Sequence, residues 1–188
     1  MQQPPAPIAR PIVVVLASGR GERFLASGGG THKLKALLAG KPVLEHVLDA
    51  VRASGLPWHL EDAGHPGMGD SIAAAVRATP GANGWLMVLG DLPLVQSATL
   101  QAVAAALEHH DVVIPTFDGQ RGHPVGFSVK CRDQLLNLQG NQGASLVARS
   151  HSAIEIEVND IGVVTDIDTI EDLERAQALL NAGQSKQA

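Results

Sequence analysis

Residues 12 to 17, Ile-Val-Val-Val-Leu-Ala, form an unbroken apolar and largely β-branched run that stops at Ser18-Gly19. A run of this length with no polar alternation reads as a strand buried on both faces, and such a strand needs helices on both sides of a mainly parallel sheet. Trp85-Leu-Met-Val-Leu89 repeats the pattern and ends at Gly90-Asp91-Leu92-Pro93. Between these two runs, Val43, Leu44, Val47, Leu48 and Val51 recur at helical spacing, with Pro42 at the first helical position and Ser54-Gly55 as the stop.

The rest of the chain keeps this alternation. Trp58-His-Leu60 reads as a short strand, and Gly64, Pro66, Gly67 and Gly69 form a glycine loop that opens a helix from Ser71 to Ala78. Ser97 is the expected cap of a helix running to about Glu108. Further strands are expected at Val112–Ile114, Val125–Val129 and Ile154–Val158, with a turn at Asp118-Gly119 and short helices from about Arg132 and Gly143. Ile161–Ile167 reads as the last strand, and Thr169–Leu180 as a closing helix that starts on a capping-box-like Thr169 and Asp172. The polar stretch from Ser18 to Gly40 is expected as a long mobile surface loop with one short ordered piece around Leu37 and Leu38. Strand–helix alternation of this kind predicts a three-layer, doubly wound, mostly parallel α/β sheet, in which ligands bind outside the carboxyl ends of the strands. The unusual loops all fall at that edge. The expected organisation is a disordered arm over 1–10, one domain over 11–182 and a tail over 183–188.

Composition narrows the chemistry. The 188 residues carry 14 Lys and Arg against 19 Asp and Glu, so the chain lacks the basic excess of a nucleic-acid binder. The longest strongly apolar run falls far short of the roughly 20 residues that span a bilayer, so neither nucleic acid nor membrane is an expected partner. The lone Cys131 can form no internal disulfide and belongs to no zinc-spaced cluster, which suits a reducing cytoplasm. Cys131 reads as a packing residue. Charge is uneven, however: up to Lys41 there are six basic residues (Arg10, Arg20, Arg23, Lys33, Lys35, Lys41) and only Glu22 opposing them, a local trap for anions.

That basic segment contains Leu16-Ala17-Ser18-Gly19-Arg20-Gly21-Glu22-Arg23-Phe24, then Thr31-His-Lys33, then Gly40-Lys-Pro-Val-Leu44. It is neither of the common phosphate loops. Phe24 occupies the place of the third glycine of the dinucleotide fingerprint, and no Gly-Lys-Ser/Thr occurs. Its backbone N–H groups can still approach a phosphate, with Arg23 and Lys33 supplying charge. A solvated basic loop would look much the same.

Leu-Ala-x-Gly-x-Gly-x-Arg-Phe with a following Lys and Gly-x-Pro-Val-Leu resembles the signature loop of the nucleotidyltransferases related to molybdopterin guanylyl- and cytidylyltransferases. Four further segments are similar to that family's and follow in its order: Gly67-Met68-Gly69-Asp70-Ser71-Ile72, Gly90-Asp91-Leu92-Pro93, Gly122-His123-Pro124-Val125, and Asp166-Ile-Asp168-Thr-Ile-Glu-Asp172-Leu. The resemblance runs from about Ile12 to Leu180 and implies a nucleotide-diphospho-sugar transferase-like, Rossmann-like fold. Gly-His-Pro-Val and the Asp-Ile-Asp ending are closest to the molybdenum cofactor cytidylyltransferase branch. Ser18 stands where the guanylyl branch usually has a second glycine. Two departures are visible. Gly28–Thr31 lengthens the gap between Arg23 and Lys33, and the stretch from Gly55 to Gly67 is shorter than the family's strand, helix and strand.

The resemblance implies a reaction in which CMP passes from CTP to the terminal phosphate of molybdenum-bound molybdopterin, with release of pyrophosphate. Its expected metal is Mg²⁺ on Asp91 and Asp168, with Asp166 a competing ligand. Asp91, Arg23 and Lys33 are the expected catalytic residues, the two cations offsetting charge on the departing pyrophosphate. Leu16, Ala17, Ser18, Gly19, Gly21, Gly67, Met68, Asp70 and Ser71 are the expected nucleotide contacts, and His123 and Pro124 the candidates on the acceptor side. The attacking phosphate is already largely a dianion at neutral pH, so it needs positioning and no general base. Expected partners are a nucleoside triphosphate, molybdopterin and a molybdenum hydroxylase of the xanthine dehydrogenase type. Three alternatives stand beside this: a guanylyltransferase, a sugar- or alditol-phosphate nucleotidyltransferase of the same fold, or a non-catalytic nucleotide-binding maturation factor. His32, His59, His65, His109 and His110 show no ligand spacing.

Overall fold

A computed structural model describes residues 10–185; the expected arm over 1–10 otherwise lies outside them, as do tail residues 186–188. The elements follow as β1 (Ile12–Leu16), α1 (Glu22–Ala26), β2 (Leu37–Leu38), β3 (Lys41–Pro42), α2 (Val43–Ala53), β4 (Trp58–Glu61), α3 (Met68–Ala78), β5 (Gly84–Leu89), α4 (Ser97–Ala106), β6 (Val112–Phe117), β7 (Gln120–Arg121), β8 (Val125–Ser128), α5 (Arg132–Leu136), α6 (Ser145–Arg149), β9 (Ala153–Glu157) and α7 (Ile170–Ser185). Seven strands make one sheet in the order β4-β1-β5-β8-β6, with β9 on the other side of β6 and β7 pairing the end of β6. The β1–β4, β1–β5 and β6–β9 pairs are parallel, whereas β8 runs antiparallel to both β5 and β6. β2 and β3 form a separate two-stranded hairpin.

The apolar runs explain the layers. In β1, Val14 and Leu16 face one side with α3, α5 and α6, while Val13 and Val15 face the other with α2 and α4. In β5, Trp85 and Met87 join the first layer and Leu86 and Val88 the second. Side chains of a strand alternate between faces, so a continuous apolar run is what a sheet covered on both faces requires. β9 instead alternates exposed and half-buried residues at the sheet edge.

Four expectations need correction. Ile161–Ile167 is no strand: Ile161–Val164 is a short 3₁₀ turn. The cause is Asp160, whose Oδ1 accepts from Gly162 N at 2.9 Å while its Oδ2 accepts from Gln96 N at 2.9 Å and Thr99 Oγ1 at 2.6 Å. That carboxylate ties the turn to the start of α4, and Gly162 is pressed so closely on Leu94 that a Cβ would stand 2.2 Å from its carbonyl carbon. The same contacts replace the expected Ser97 cap; Ser97 is already helical. Pro42 caps α2 from outside and is not its first residue. The Ser18–Gly40 segment is also more ordered than expected, since it contains α1, a 3₁₀ turn at Lys33–Lys35 and the first strand of the hairpin. Phe24, at the position that breaks the glycine fingerprint, is 2% exposed and anchors a third cluster with Leu34, Leu38, Val43, Ile167 and Ala176. The inserted Gly29 lies against its ring, where any Cβ would clash.

The closing helix begins as the sequence implies. Thr169 N donates to Asp172 Oδ2 at 2.8 Å and Asp172 N donates to Thr169 Oγ1 at 3.2 Å, a reciprocal cap. It continues past Leu180 to Ser185, so the start of the expected tail is helical.

Candidate functional site

β1, β4 and β5 run parallel and side by side, so their carboxyl ends open on one edge of the sheet, with β4 and β5 flanking β1. A cavity of about 460 Å³ lies there, between the loop after β1 and the loop before α3. Ser18, Gly19, Gly21, Arg23 and Lys33 line one wall and Gly67, Met68 and Ser71 the other, with Asp168 also at its surface. Gly21 turns the chain at φ +66° to start α1, a conformation that favours glycine. His32 closes the loop: its Nδ1 accepts from Leu34 N at 3.3 Å, so its Nε2 donates to the Gly19 carbonyl at 2.7 Å. Across the cavity Ser18 and Ser71 share a 2.5 Å hydroxyl hydrogen bond.

Four charged side chains converge at one end. Lys33 Nζ lies 2.6 Å from Asp91 Oδ2 and 2.7 Å from Asp168 Oδ1, and Arg23 Nη1 lies 2.6 Å from Asp168 Oδ2. Burial would lower the Lys33 ammonium, but Asp91 and Asp168 together outweigh it and hold it above the usual lysine value. Burial pushes the Asp91 carboxyl above the usual carboxylate range; Lys33 pulls against this, and the charges of Asp166 and Asp168 add to it. The pair's attraction thus outweighs burial at Lys33 but not at Asp91. Asp168 is held below its ordinary value, chiefly by its hydrogen bond from Lys33.

Asp91 Oδ1 is buried and has no hydrogen-bond partner, a costly arrangement for an anionic oxygen. Among the described residues no group of three or more His, Cys, Asp or Glu could hold a metal by itself. Carboxylate oxygens with one unused buried lone-pair site fit a hard divalent cation that takes one or two carboxylates and completes its shell with phosphate oxygens and water.

A second cavity of about 630 Å³ adjoins the first through Met68, which lines both. Leu16, Ile72, Met87, Leu89, Ile114 and Phe127 make it predominantly apolar, and Arg121, Arg149, His123 and His151 supply its polar groups. His123 also faces a cleft of about 420 Å³ shared with Asp166. Burial holds its imidazole below the usual value, against a hydrogen bond with the Met87 carbonyl and the charges of Asp91 and Asp166.

Most of the expected site residues thus meet along one edge. Leu16, Ala17 and Asp70 do not line the nucleotide-sized cavity: Leu16 lines the apolar one described above, Ala17 packs on the cluster around Phe24, and Asp70 Oδ2 accepts from Gly140 N at 3.0 Å, while Asp91 sits behind Lys33 and lines none of the three. Pro124 is buried and forms no part of the three cavity walls. The residue-level reading missed Asn141 and His65, which both line the first cavity. Nothing local marks His65, since its partner Glu61 falls just beyond the expected strand Trp58–Leu60. Cys131 lies away from these cavities, and burial pushes its thiol up to about 11. A disulfide exchange reagent at pH 8 is expected to leave Cys131 unmodified in the folded protein and to label it on unfolding; rapid labelling of the native state would contradict this.

The MobA-like NTP transferase domain matches this chain over residues 49–154. Among curated proteins, the bifunctional protein GlmU of Nitrosomonas europaea is 30% identical over 66% of this chain, and the purine catabolism protein PucB of Bacillus subtilis is 27% identical over 90% of it. The alignment spans 31% of the GlmU length and 97% of that of PucB. Among solved structures, Rv0371c of Mycobacterium tuberculosis H37Rv superposes with a TM-score of 0.75 at 25% identity, covering 90% of this chain and 97% of its own. A manganese complex of Rv0371c has also been solved, at 23% identity, a TM-score of 0.71, and coverage of 90% and 98%. No helix among the described residues is long and apolar enough to cross a membrane.

Proposed function

The chain belongs to the MobA-like NTP transferase family, and from that premise we propose that it transfers CMP from CTP to the terminal phosphate of molybdenum-bound molybdopterin, releasing pyrophosphate. Nucleotidyl transfer is the family's chemistry; the base and the acceptor are our reading. The observation carrying it is the neighbouring pair of cavities that share Met68, polar on the side of Arg23, Lys33 and Asp168 and apolar on the side of Ile72, Met87 and Phe127. A triphosphate suits the first. A flat, amphipathic heterocycle suits the second better than a polyhydroxylated sugar, since its ring face can lie on the apolar wall while its edge meets the few polar groups, whereas sugar hydroxyls need partners all round.

In this reading the N–H groups of Gly19 and Gly21 receive the nucleotide phosphates. Arg23 and Lys33 turn from Asp168 toward the departing pyrophosphate and offset its charge. Asp91 and Asp168 are the residues that would hold Mg²⁺, with Asp91 Oδ1 already free of protein partners. When bound, the cation supplies charge neutralisation on the phosphates where negative charge builds up. His123 borders the acceptor side. Catalysis rests on alignment: a phosphate monoester is an adequate nucleophile once held in line, so no protein base is required.

The similarity to PucB, a protein named for purine catabolism, accords with service to a purine-oxidising molybdenum hydroxylase. A sugar-phosphate acceptor is the second reading, for which Arg121, Arg149, His123 and His151 of the second cavity would be the polar partners. Pyrophosphate release with Mg²⁺ separates the two, offering CTP, GTP, ATP and UTP singly with either molybdenum-loaded molybdopterin or sugar 1-phosphates. CTP-dependent release with the pterin is the expected result. Release only with sugar phosphates, or only with GTP, overturns it.

A further inference from the structure

Glu61 is the last residue of β4 and is 6% exposed, at the mouth of the sheet beside Leu16. Its carboxylate accepts from Ala63 N at 3.3 Å and lies 2.9 Å from His65 Nε2 and 3.3 Å from His59 Nε2. Burial would raise the Glu61 carboxyl, yet the two imidazoles and the Ala63 N–H hold it below its ordinary value. It is therefore ionised at neutral pH and can only accept hydrogen bonds. His65 Nε2 must then carry the proton of that hydrogen bond, so whenever the ring holds one proton its Nδ1 is a bare acceptor. Nδ1 has no hydrogen-bond partner among the described residues. His65 also lines the first cavity, next to Pro66, Gly67 and Met68.

The position within the cavity sets what this acceptor meets. Asp91, with which Lys33 pairs, follows β5, whereas His65 follows β4 on the opposite side of β1. Two strand spacings separate those ends by about 10 Å. A triphosphate drawn to Arg23 and Lys33 leaves its base toward the end carrying His65.

We propose that the His65–Glu61 pair determines nucleobase specificity by presenting His65 Nδ1 to the exocyclic amino group of cytosine, and so rejects uracil. Uracil carries a carbonyl oxygen where cytosine carries the amine, so two lone pairs would face each other and neither would be satisfied. This rests on the cytidylyl reading and names the group that selects the base. Glu61 acts through His65 as a positioning residue.

Calorimetric titration of the whole protein with CTP and with UTP, in Mg²⁺ and without acceptor, tests it. The wild type is expected to hold CTP about tenfold tighter than UTP, as one good neutral hydrogen bond allows. His65→Leu is expected to bring the two within about twofold by weakening CTP and no longer repelling UTP, and Glu61→Gln, which unfixes the tautomer, to narrow the gap. A ratio unchanged in His65→Leu overturns the proposal while leaving the transferase reading intact. Equal affinities in the wild type overturn it too. Binding of GTP with neither pyrimidine overturns both.

Discussion

Asp91→Ala is expected to release pyrophosphate roughly 10³-fold more slowly than the wild type, the scale seen when charge stabilisation is lost from a phosphoryl-type transition state. It is also expected to melt at or above the wild-type temperature. Both halves follow from the same enclosure. Burial, reinforced by Asp166 and Asp168, raises the Asp91 carboxyl against the pull of Lys33. A carboxyl whose folded value lies above its unfolded one is harder to ionise in the fold, so above its unfolded value the charge costs stability, and the cost is relieved as pH falls through the raised value. The truncation removes that cost and the unpartnered Oδ1 with it, and Lys33 keeps Asp168 as its counter-ion at 2.7 Å. Thermal melts from pH 5 to 8 beside the turnover assay check this. Substantial turnover sinks the role of Asp91, and a clear fall in melting temperature sinks the account of its burial.

Much of the architecture was legible because it is written in local runs. Val13 to Leu16 and Trp85 to Val88 are apolar at every position, and only a sheet covered on both faces uses both sets of side chains. Thr169 and Asp172 announce their helix because both partners of the cap lie within one turn. What escaped depends on residues distant in sequence. Ile161–Ile167 has a strand's composition, but Asp160 bonds Gln96 and Thr99, more than sixty positions earlier, and turns the segment onto the start of α4. Phe24 reads as a failed glycine motif until it is found under α7, with Ile167 and Ala176. Of the charged cluster, Arg23, Lys33 and Asp91 stand in or beside loops, where charge has no packing role, whereas Asp168 was marked only by the resemblance of its segment to the family's. His65 gave no such sign, because its significance lies in Glu61 being buried at the end of a strand, and burial is a property of the whole sheet.

Lys33→Met is expected to separate two functions that one ammonium performs. In the folded chain Lys33 Nζ stands between Asp91 Oδ2 and Asp168 Oδ1, the place a cation would take when bound to both carboxylates. Its value is raised by those carboxylates, so it stays fully charged at neutral pH, and its stabilisation would fade only as pH rises through that raised lysine value. Replacing it with an apolar chain of similar length leaves Asp91, Asp166 and Asp168 to repel one another, at a cost of about 3 kcal/mol if the buried pair behaves as others do when one partner is lost. The melting temperature should fall, and Mn²⁺ should restore more of it in the variant than it adds to the wild type, because a ligand of the native state stabilises in proportion to its affinity. Mn²⁺ is expected to bind the nucleotide-free variant about tenfold more tightly, since it no longer displaces a bound ammonium. Turnover should nonetheless fall by roughly 10²-fold, because the charge that meets the departing pyrophosphate is gone. A structural salt bridge would lose stability without gaining cation affinity, and a purely phosphate-binding lysine would lose turnover without either change. Cation affinity and turnover moving in opposite directions is the result that only a lysine shared between the two tasks produces.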